Sequence, residues 1–299
     1  MKIGVMLPYL DTEATGDDFR RWCRFADAAP FSTIGCGERV VFDNLDQQAL
    51  LSFAAAATAR IGLMSAVSVL PMHPTAVFAK RMATIDHLSD GRLTVGIGVG
   101  ERPEDYRASE QEMGRRYQRS SEQVAELRRI WSGEAFDEGG SKIGPTPHED
   151  GPRLLSGAYG PAALARSARW ADGFIGGSAW EDGRVVMMGK GRHRTTVSNW
   201  TNAWDAAGRS GEPYIVGLAW FTLADDGAAH MMDFGSRYFS AADGTPHVFS
   251  AEMAPYVDEG RVREALDDFE SAGFDEVLLM APTAALSELE RLQRIIESR

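Results

Sequence analysis

A single (β/α)8 barrel of the TIM type, an α/β fold with one long insertion between its sixth and seventh strands, is what this sequence predicts. Three observations carry the prediction. Residues 61–106 read in turn as strand, loop, helix, tight turn, strand and glycine-rich loop, the repeating unit of a parallel α/β protein. The first strand of that unit, 61–69, is almost wholly apolar, as a strand covered on both faces must be. Eight such strand–helix alternations can be counted along the 299 residues, which favours a closed barrel over a doubly wound open sheet.

Taken in order, the chain opens on an apolar strand over 2–7 and a helix over 17–28. The second strand is read at 31–36, and an alanine- and leucine-rich helix follows at 45–59. After the third strand, Pro74 is placed to open a helix, with His73 just outside it. Phe78, Met82 and Ile85 recur at helical spacing and give that helix a buried stripe. Asp90-Gly91 stops it, and 92–98 forms the fourth strand. Gly96, Gly98 and Gly100 fall on one face there and leave a gap against which something can lie. A polar helix over 117–131 precedes a loop over 134–151 rich in glycine, proline and acid. A fifth strand at 154–156, a helix at 161–171 and a sixth strand centred on Phe174 and Ile175 come next. The stretch 180–194 is longer than a connection requires, as lids and binding loops are. A helix at 196–207, a seventh strand at 214–223, a mainly helical 226–270, an eighth strand at 276–280 and a helix at 286–298 complete the barrel. No internal boundary appears, so 1–299 reads as one domain.

Composition narrows the function. With 44% hydrophobic residues the chain can bury a large core, and its net charge of −12 argues against binding to nucleic acid or an anionic membrane surface. The uncharged run 61–79 is broken by Pro71, His73 and Pro74, which fits strand plus helix rather than a membrane span. No signal peptide is evident, because the short apolar start is interrupted by Pro8 and Asp11. Cys23 and Cys36 offer neither a disulfide framework nor a metal motif, which suits a reducing cytoplasm. His87, His148, His230 and His247 lack ligand spacing, so no metal is expected.

The string HPTAVFAKRMATIDHLSDGRLTVGIGVGERPEDY at 73–106 closely resembles the bacterial luciferase-like family of flavin-dependent oxidoreductases, which shows HP, AK and then D-x-LS-x-GR-L-x-x-G-x-G. LLSGAYGPAALARSARWADG at 154–173 is similar to the family's glycine-rich turn, helix and closing ADG, and the initial MKIGVMLPY also fits. The resemblance covers 1–180 well and the remainder loosely. It implies a small organic substrate and either FMN or coenzyme F420. Reduced FMN, supplied by a flavin reductase partner, would activate oxygen; F420 would exchange hydride with the substrate at its deazaflavin C5. Glu101 and the basic GKGRHR segment lean slightly towards F420. The resemblance also implies a homodimer packed through helices beside strands two and three, with which the helix at 45–59 is compatible.

In such a barrel the chemistry sits at the C-terminal ends of the strands. Asp86 and Arg92 therefore fall on the opposite rim and read as a bracing ion pair. Strand two ends in GCGERVVFDN, which puts Glu38 and Arg39 at the site mouth, whereas Val40, Val41 and Phe42 occupy the place where many relatives carry a histidine. Strand three ends in SAVSVLP; the resemblance implies that the cofactor ring packs on this segment beside a cis peptide, assigned to Ser68-Val69. Strand four ends at Gly100 and Glu101, and a buried Glu101 of raised pKa would donate a proton. Glu104, Asp105 and Tyr106 read as the start of the next helix, with acids at its positive end. Gly157, Ala158, Tyr159 and Gly160 allow close backbone approach before a helix start at Pro161, an anion seat that the resemblance assigns to the cofactor phosphate. Gly176, Gly177 and Ser178 would form its second wall. Lys190, Arg192, His193 and Arg194 hold a phosphate or acidic tail, or form a solvated basic loop. Trp180, Trp200, Trp204 and Trp220 line a substrate pocket or fill the core.

Two other readings stay open at this point. A barrel glycosidase would use Glu38 and Glu101 as its carboxylate pair, although a neutral sugar needs no glycine-rich phosphate seat. A flavin-binding protein without turnover is compatible with the missing histidine.

Overall fold

The elements of the chain alternate from the first residues in a computed structural model that describes residues 1–149, 151–189, 191–239 and 256–299. They run β1 (Lys2–Met6), α1 (Gly16–Ala28), β2 (Thr33–Cys36), α2 (Gln47–Ala57), β3 (Gly62–Val69), a 3-10 turn (Leu70–Met72), α3 (Thr75–Leu88) and β4 (Leu93–Gly98). Next come α4 (Pro103–Ala108), α5 (Arg116–Trp131), β5 (Arg153–Ser156), α6 (Pro161–Ser167), β6 (Gly173–Gly176), β7 (Ser178–Glu181) and β8 (Arg184–Met187). The chain closes with α7 (His193–Ala206), β9 (Tyr214–Trp220), α8 (Gly227–Phe239), α9 (Glu259–Ala272), β10 (Glu276–Met280) and α10 (Leu286–Glu297).

Eight strands, β1 to β6 with β9 and β10, pair in parallel and close into a barrel when β1 joins both β2 and β10. The predicted α/β barrel is the fold found. Its strands are apolar on both faces because side chains fill the barrel interior on one side and meet the helix ring on the other. Val5, Ile34, Leu63, Val95, Leu155, Ile175, Val216 and Leu278 are all fully buried. Helix ends carry their own signals. Thr15 and Asp18 form a reciprocal capping box at α1, Asp46 and Asp258 cap α2 and α9, and Gly273, at φ 95°, turns the chain out of α9.

The anticipated insertion between the sixth and seventh barrel strands is present and is not a plain loop. β7 and β8 pair antiparallel as a hairpin outside the barrel. Its turn, Asp182-Gly183, takes φ of 49° and 80°, the primed-turn conformation that matches strand twist. The segment 134–149 carries neither helix nor strand, as read from its composition. Of the stretch 226–270, α8 and part of α9 are helical as expected, while 240–255, with His247, and also Lys190, lie outside the described residues. Among the described residues no helix is long and apolar enough to cross a membrane.

The bottom rim corrects one expectation. Asp86 and Arg92 do not pair with each other. The Asp86 carboxylate accepts the His148 N–H at 2.7 Å, and burial pushes its pKa up. Arg92 instead donates to the carbonyls of Ala55, Thr58, Ile61 and Ser89. A guanidinium is the natural partner for that end of α2, where carbonyls lack helical N–H groups and the helix dipole is negative.

Candidate active site

The site begins at β3. The peptide between Ala66 and Val67 is cis, and the pairing of β3 with β4 shifts register between Ser65 and Ser68. The cis bond thus lies two residues before the Ser68-Val69 position expected from sequence. Val67 turns toward β4, and a Cβ on Gly98 would stand 2.7 Å from its Cγ2, one on Gly96 3.0 Å from its Cγ1. A Cβ on Gly100, at φ +60°, would stand 2.8 Å from Val69 Cγ1. The gap that the glycines leave is filled by the chain's own valines. Ser68 points elsewhere: it is fully buried, and its hydroxyl donates to Gln47 Oε1 at 2.6 Å while Gln47 Nε2 donates to the Cys36 carbonyl at 2.8 Å. Ser68 therefore ties β2 to β3 and does not line the cavity.

Above this floor a cavity of about 730 Å³ opens at the C-terminal ends of the strands, with Val67, Ile97 and Ile175 beneath it. One end is built by Glu38, Arg39 and Asp105, the other by the 156–163 loop and helix start with Tyr117 and Arg166. The hairpin contributes Trp180, whose ring would be 3.2 Å from a Cβ on Gly160. That contact explains the glycine before α6: a side chain there would displace the indole.

The charged end is ordered by hydrogen bonds. Glu38, with a side chain only 6% exposed, accepts the Val69 N–H on one oxygen at 2.6 Å and meets His73 Nε2 with the other at 2.8 Å. His73 reaches Glu38 from the turn after β3. Arg39 Nε donates to Asp105 at 3.0 Å and its guanidinium lies over Phe42 and Tyr238. The other Asp105 oxygen takes the N–H groups of Val40 and Val41. Asp105 is therefore committed to the loop after β2, a different task from balancing the helix dipole of its own short α4.

Glu101 lines the cavity at its mouth and is exposed, against the expected burial. Of the proposed anion seat, Gly157, Ala158, Tyr159, Gly160 and Ser178 line the cavity, Gly177 lines a neighbouring one, and Gly176 lines neither. Gly176 makes room for the Tyr159 ring, which a Cβ would approach to 2.8 Å. Burial pushes the Tyr159 phenol up, with hydrogen bonds to Ser178 and the Gly177 backbone pulling the other way. Helix α6 is only seven residues long and starts on a proline, which has no N–H to offer. In the basic segment, Arg192 pairs with Glu181 at 2.9 Å and His193 is buried edge-on to Phe269, with burial lowering its pKa. Trp200 and Trp204 belong to the core, whereas Trp180 and Trp220 line cavities.

A second compartment of about 150 Å³ adjoins the first and shares Ala66, Ser178, Leu218 and Tyr238 with it. Met6, Met187, Met188 and Met280 surround it with Trp220 and Tyr9, and no charged side chain lines it among the described residues. Burial and a hydrogen bond to Tyr238 both push the Tyr9 phenol well up. No cluster of His, Cys, Asp or Glu suited to a metal ion occurs among the described residues. Glu38 and Glu101, the carboxylate pair of the glycosidase alternative, both line the cavity, Glu38 with both oxygens hydrogen-bonded and Glu101 exposed.

Comparison with known proteins agrees with this architecture. A family model described as luciferase-like monooxygenase matches residues 1–265. The chain belongs to the luciferase-like monooxygenase family. An uncharacterized Mycobacterium tuberculosis protein, Rv0953c, is 34% identical over 182 residues, covering 58% of this chain and 61% of that one. The pyrimidine monooxygenase RutA of Serratia proteamaculans is 30% identical over 141 residues, 43% of this chain and 38% of its own. The chain thus spans about three-fifths or less of the length of these curated relatives. Among solved structures, monooxygenase RslO1 from Streptomyces bottropensis superposes with a TM-score of 0.79 at 22% identity, over 100% of this chain and 98% of that one. An F420-dependent secondary alcohol dehydrogenase in complex with an F420–acetone adduct also reaches 0.79, at 14% identity, over 99% and 98%. At these identities the likeness is one of fold.

Proposed function

We propose that this protein is a flavin-type oxidoreductase acting on a small organic substrate of modest polarity, with FMN or coenzyme F420 in the larger cavity. The observation that carries the reading is Glu38, which lines the cavity above the Val67 side chain and is hydrogen-bonded from behind by His73. The residues fit such a cofactor: Val67, Ile97 and Ile175 offer apolar surface to a planar ring, and Glu38, Arg39, Asp105 and Arg166 are among the polar groups around it. When bound, the cofactor supplies either oxygen activation, as reduced FMN, or hydride exchange, as F420.

The chain's own residues do the rest. Val67 and Val69 support the ring, and Gly100, Gly157, Ala158, Tyr159 and Gly160 bring backbone close to the cofactor, with Gly177 and Ser178 behind. Glu38 holds or moves a proton at its Oε1, which His73 shares. Glu101 is a second candidate proton donor, facing the mouth. The uncharged compartment lined by four methionines receives the substrate and excludes water, and the Tyr9 and Tyr238 hydroxyls are the polar handles there. In the monooxygenase mode a flavin reductase supplies reduced FMN. Exposed Val40, Val41, Leu45 and Val77, on the connection after β2 and on α3, support a homodimer through that side.

Titration of the purified protein with FMN and F420, each oxidised and reduced, under anaerobic conditions tests the reading by cofactor fluorescence. Tight binding of F420 alone makes this a hydride-transfer enzyme. Preference for reduced FMN makes it a monooxygenase. Binding of neither overturns the assignment.

A further inference from the structure

The turn that carries His73 is held from a neighbouring helix. Its own backbone closes one bond, from the His73 N–H to the Leu70 carbonyl at 3.0 Å. The His73 carbonyl lies just outside α3: Pro74 caps that helix, gives its carbonyl to the Phe78 N–H, and has no N–H to offer in return. The donors come from α5. Gln123 Nε2 donates to the His73 carbonyl at 2.8 Å and to Thr75 Oγ1 at 3.1 Å, so that one amide spans Pro74. Arg119, one turn earlier on α5, reaches the same carbonyl with Nη2 at 3.5 Å.

Gln123 is 4% exposed, and its Oε1 is buried with no hydrogen-bond partner. An orphaned buried oxygen is costly, yet turning the amide over would set Oε1 against the His73 carbonyl, acceptor against acceptor. The amide therefore stands in the orientation that gives its N–H groups to the turn. The imidazole is confined on its other sides: it packs 5.1 Å from the Phe78 ring and meets Glu38 Oε1 through Nε2 at 2.8 Å. With N–H, carbonyl and ring all held, it has little freedom to leave Glu38. Glu38 lines the cavity, whereas His73, Arg119 and Gln123 do not.

Resting on the role proposed above for Glu38, we propose that Gln123 is a positioning residue for proton transfer. By fixing the main chain of the 73–75 turn it keeps His73 Nε2 on Glu38, and so keeps the cavity carboxylate oriented. It acts through His73 and touches neither substrate nor cofactor.

The test compares the full chain with Gln123→Met, which keeps the length of the side chain and has nothing to donate. Gln123→Asn, an amide on a shorter stem, is the milder second variant, and thermal melts confirm that both fold. Imidazole nitrogen NMR of the protein without ligand is the first readout, the His73 signal among six histidines being assigned by its loss in His73→Gln. The Nε2 proton of His73 should exchange with water several-fold faster in Gln123→Met. With whichever of FMN and F420 binds, turnover should fall about ten- to hundredfold, as misplacement of a reacting group costs, with cofactor affinity unchanged. In a His73→Gln background Gln123→Met should lower turnover no further, because the two residues act in series. An unchanged His73 signal overturns the inference, as does undiminished turnover or a loss that simply adds to that of His73→Gln. Each of these leaves the cofactor reading standing. Binding of neither cofactor removes the proposed function, and this role with it.

Discussion

Glu38 and His73 stand 35 positions apart in sequence and meet at 2.8 Å, the carboxylate from the loop after β2 and the imidazole from the turn after β3. The second Glu38 oxygen is fixed by the Val69 N–H at the end of β3. One carboxylate therefore joins two adjacent strand ends at the cavity wall, with both oxygens hydrogen-bonded. On the proposed function, this pair would pass a proton between the cavity and a histidine that is 15% exposed.

Replacing Glu38 by Gln keeps the shape and removes the acid–base function. Turnover with whichever cofactor binds should fall by about 10²–10⁴, the range of general acid–base catalysis, with cofactor affinity unchanged. His73→Gln should lower turnover less and displace the pH–rate profile. Glu101→Gln separates the two carboxylates: preserved binding with lost turnover assigns the proton to Glu101, and full turnover leaves it to Glu38. A Glu38→Gln enzyme of undiminished rate would remove the pair from the mechanism.

The packing of Val67 against Gly96 and Gly98 leads to a second prediction. Gly98→Ala places a methyl 2.7 Å from Val67 Cγ2, and a β-branched side chain has little freedom to move aside. Gly96→Ala meets the Ser65 carbonyl, which is backbone. Each substitution should cost about 1–3 kcal/mol, as overpacking does, read from denaturant unfolding. Gly98→Ala should in addition weaken cofactor binding, because the displaced Val67 is the cavity floor. Retained stability with weakened binding would locate the effect in the site alone; no change in either would mean that the slot is not packed as described.

The glycines also show where sequence reading stops. Their alternation along the fourth strand announces a missing row of side chains, yet nothing in the string states what fills it. The answer is a register shift in the neighbouring strand, a tertiary event with no local signature. The barrel was legible because it rests on repeated local patterns: apolar strands, helical stripes, and caps such as Thr15–Asp18. Glu38 was legible as a charged group placed after a buried strand. Its partner was not, because His73 reads locally as a residue preceding a helix, and only closure of the barrel sets one strand end beside the next. Asp105 stands in the first turn of its helix as read, but its hydrogen bonds to the loop after β2 were hidden for the same reason. Gly176 and Ser68 were assigned to the cofactor from the family resemblance carried onto their strand ends, and their side of the strand sends one to a tyrosine ring and the other to Gln47.

Arg92 supplies a test of stability away from the site. Its guanidinium serves four carbonyls at the junction of α2, β3 and β4. Arg92→Met retains the aliphatic stem and leaves those acceptors without their donor. A loss of roughly 2–4 kcal/mol is expected, the cost of orphaned partly buried polar groups, with cofactor affinity at permissive temperature unaltered. Chemical denaturation of the two proteins decides it; equal midpoints would show that water replaces the guanidinium without penalty.

Asp27 brings a pH dependence whose sign can be worked out. Its carboxylate accepts the N–H groups of Ala59, Arg60 and Ile61 at 2.8–2.9 Å, closing the loop that leads into β3. Burial pushes its pKa up, but the three N–H donors outweigh that and hold it below the ordinary aspartate value. A depressed folded-state pKa means that the unfolded chain takes up the proton first as pH falls. The contribution to stability is therefore whole above the unfolded value of roughly 4 and disappears as pH drops through the folded one. Asp27→Asn offers a single acceptor oxygen and turns an amide N–H₂ toward donors. The variant should melt below the wild type at neutral pH, and the gap should close as pH is lowered below 4. A gap that stays constant across that window would mean that the amide's geometry, and not the carboxylate's charge, sets the strength of this closure.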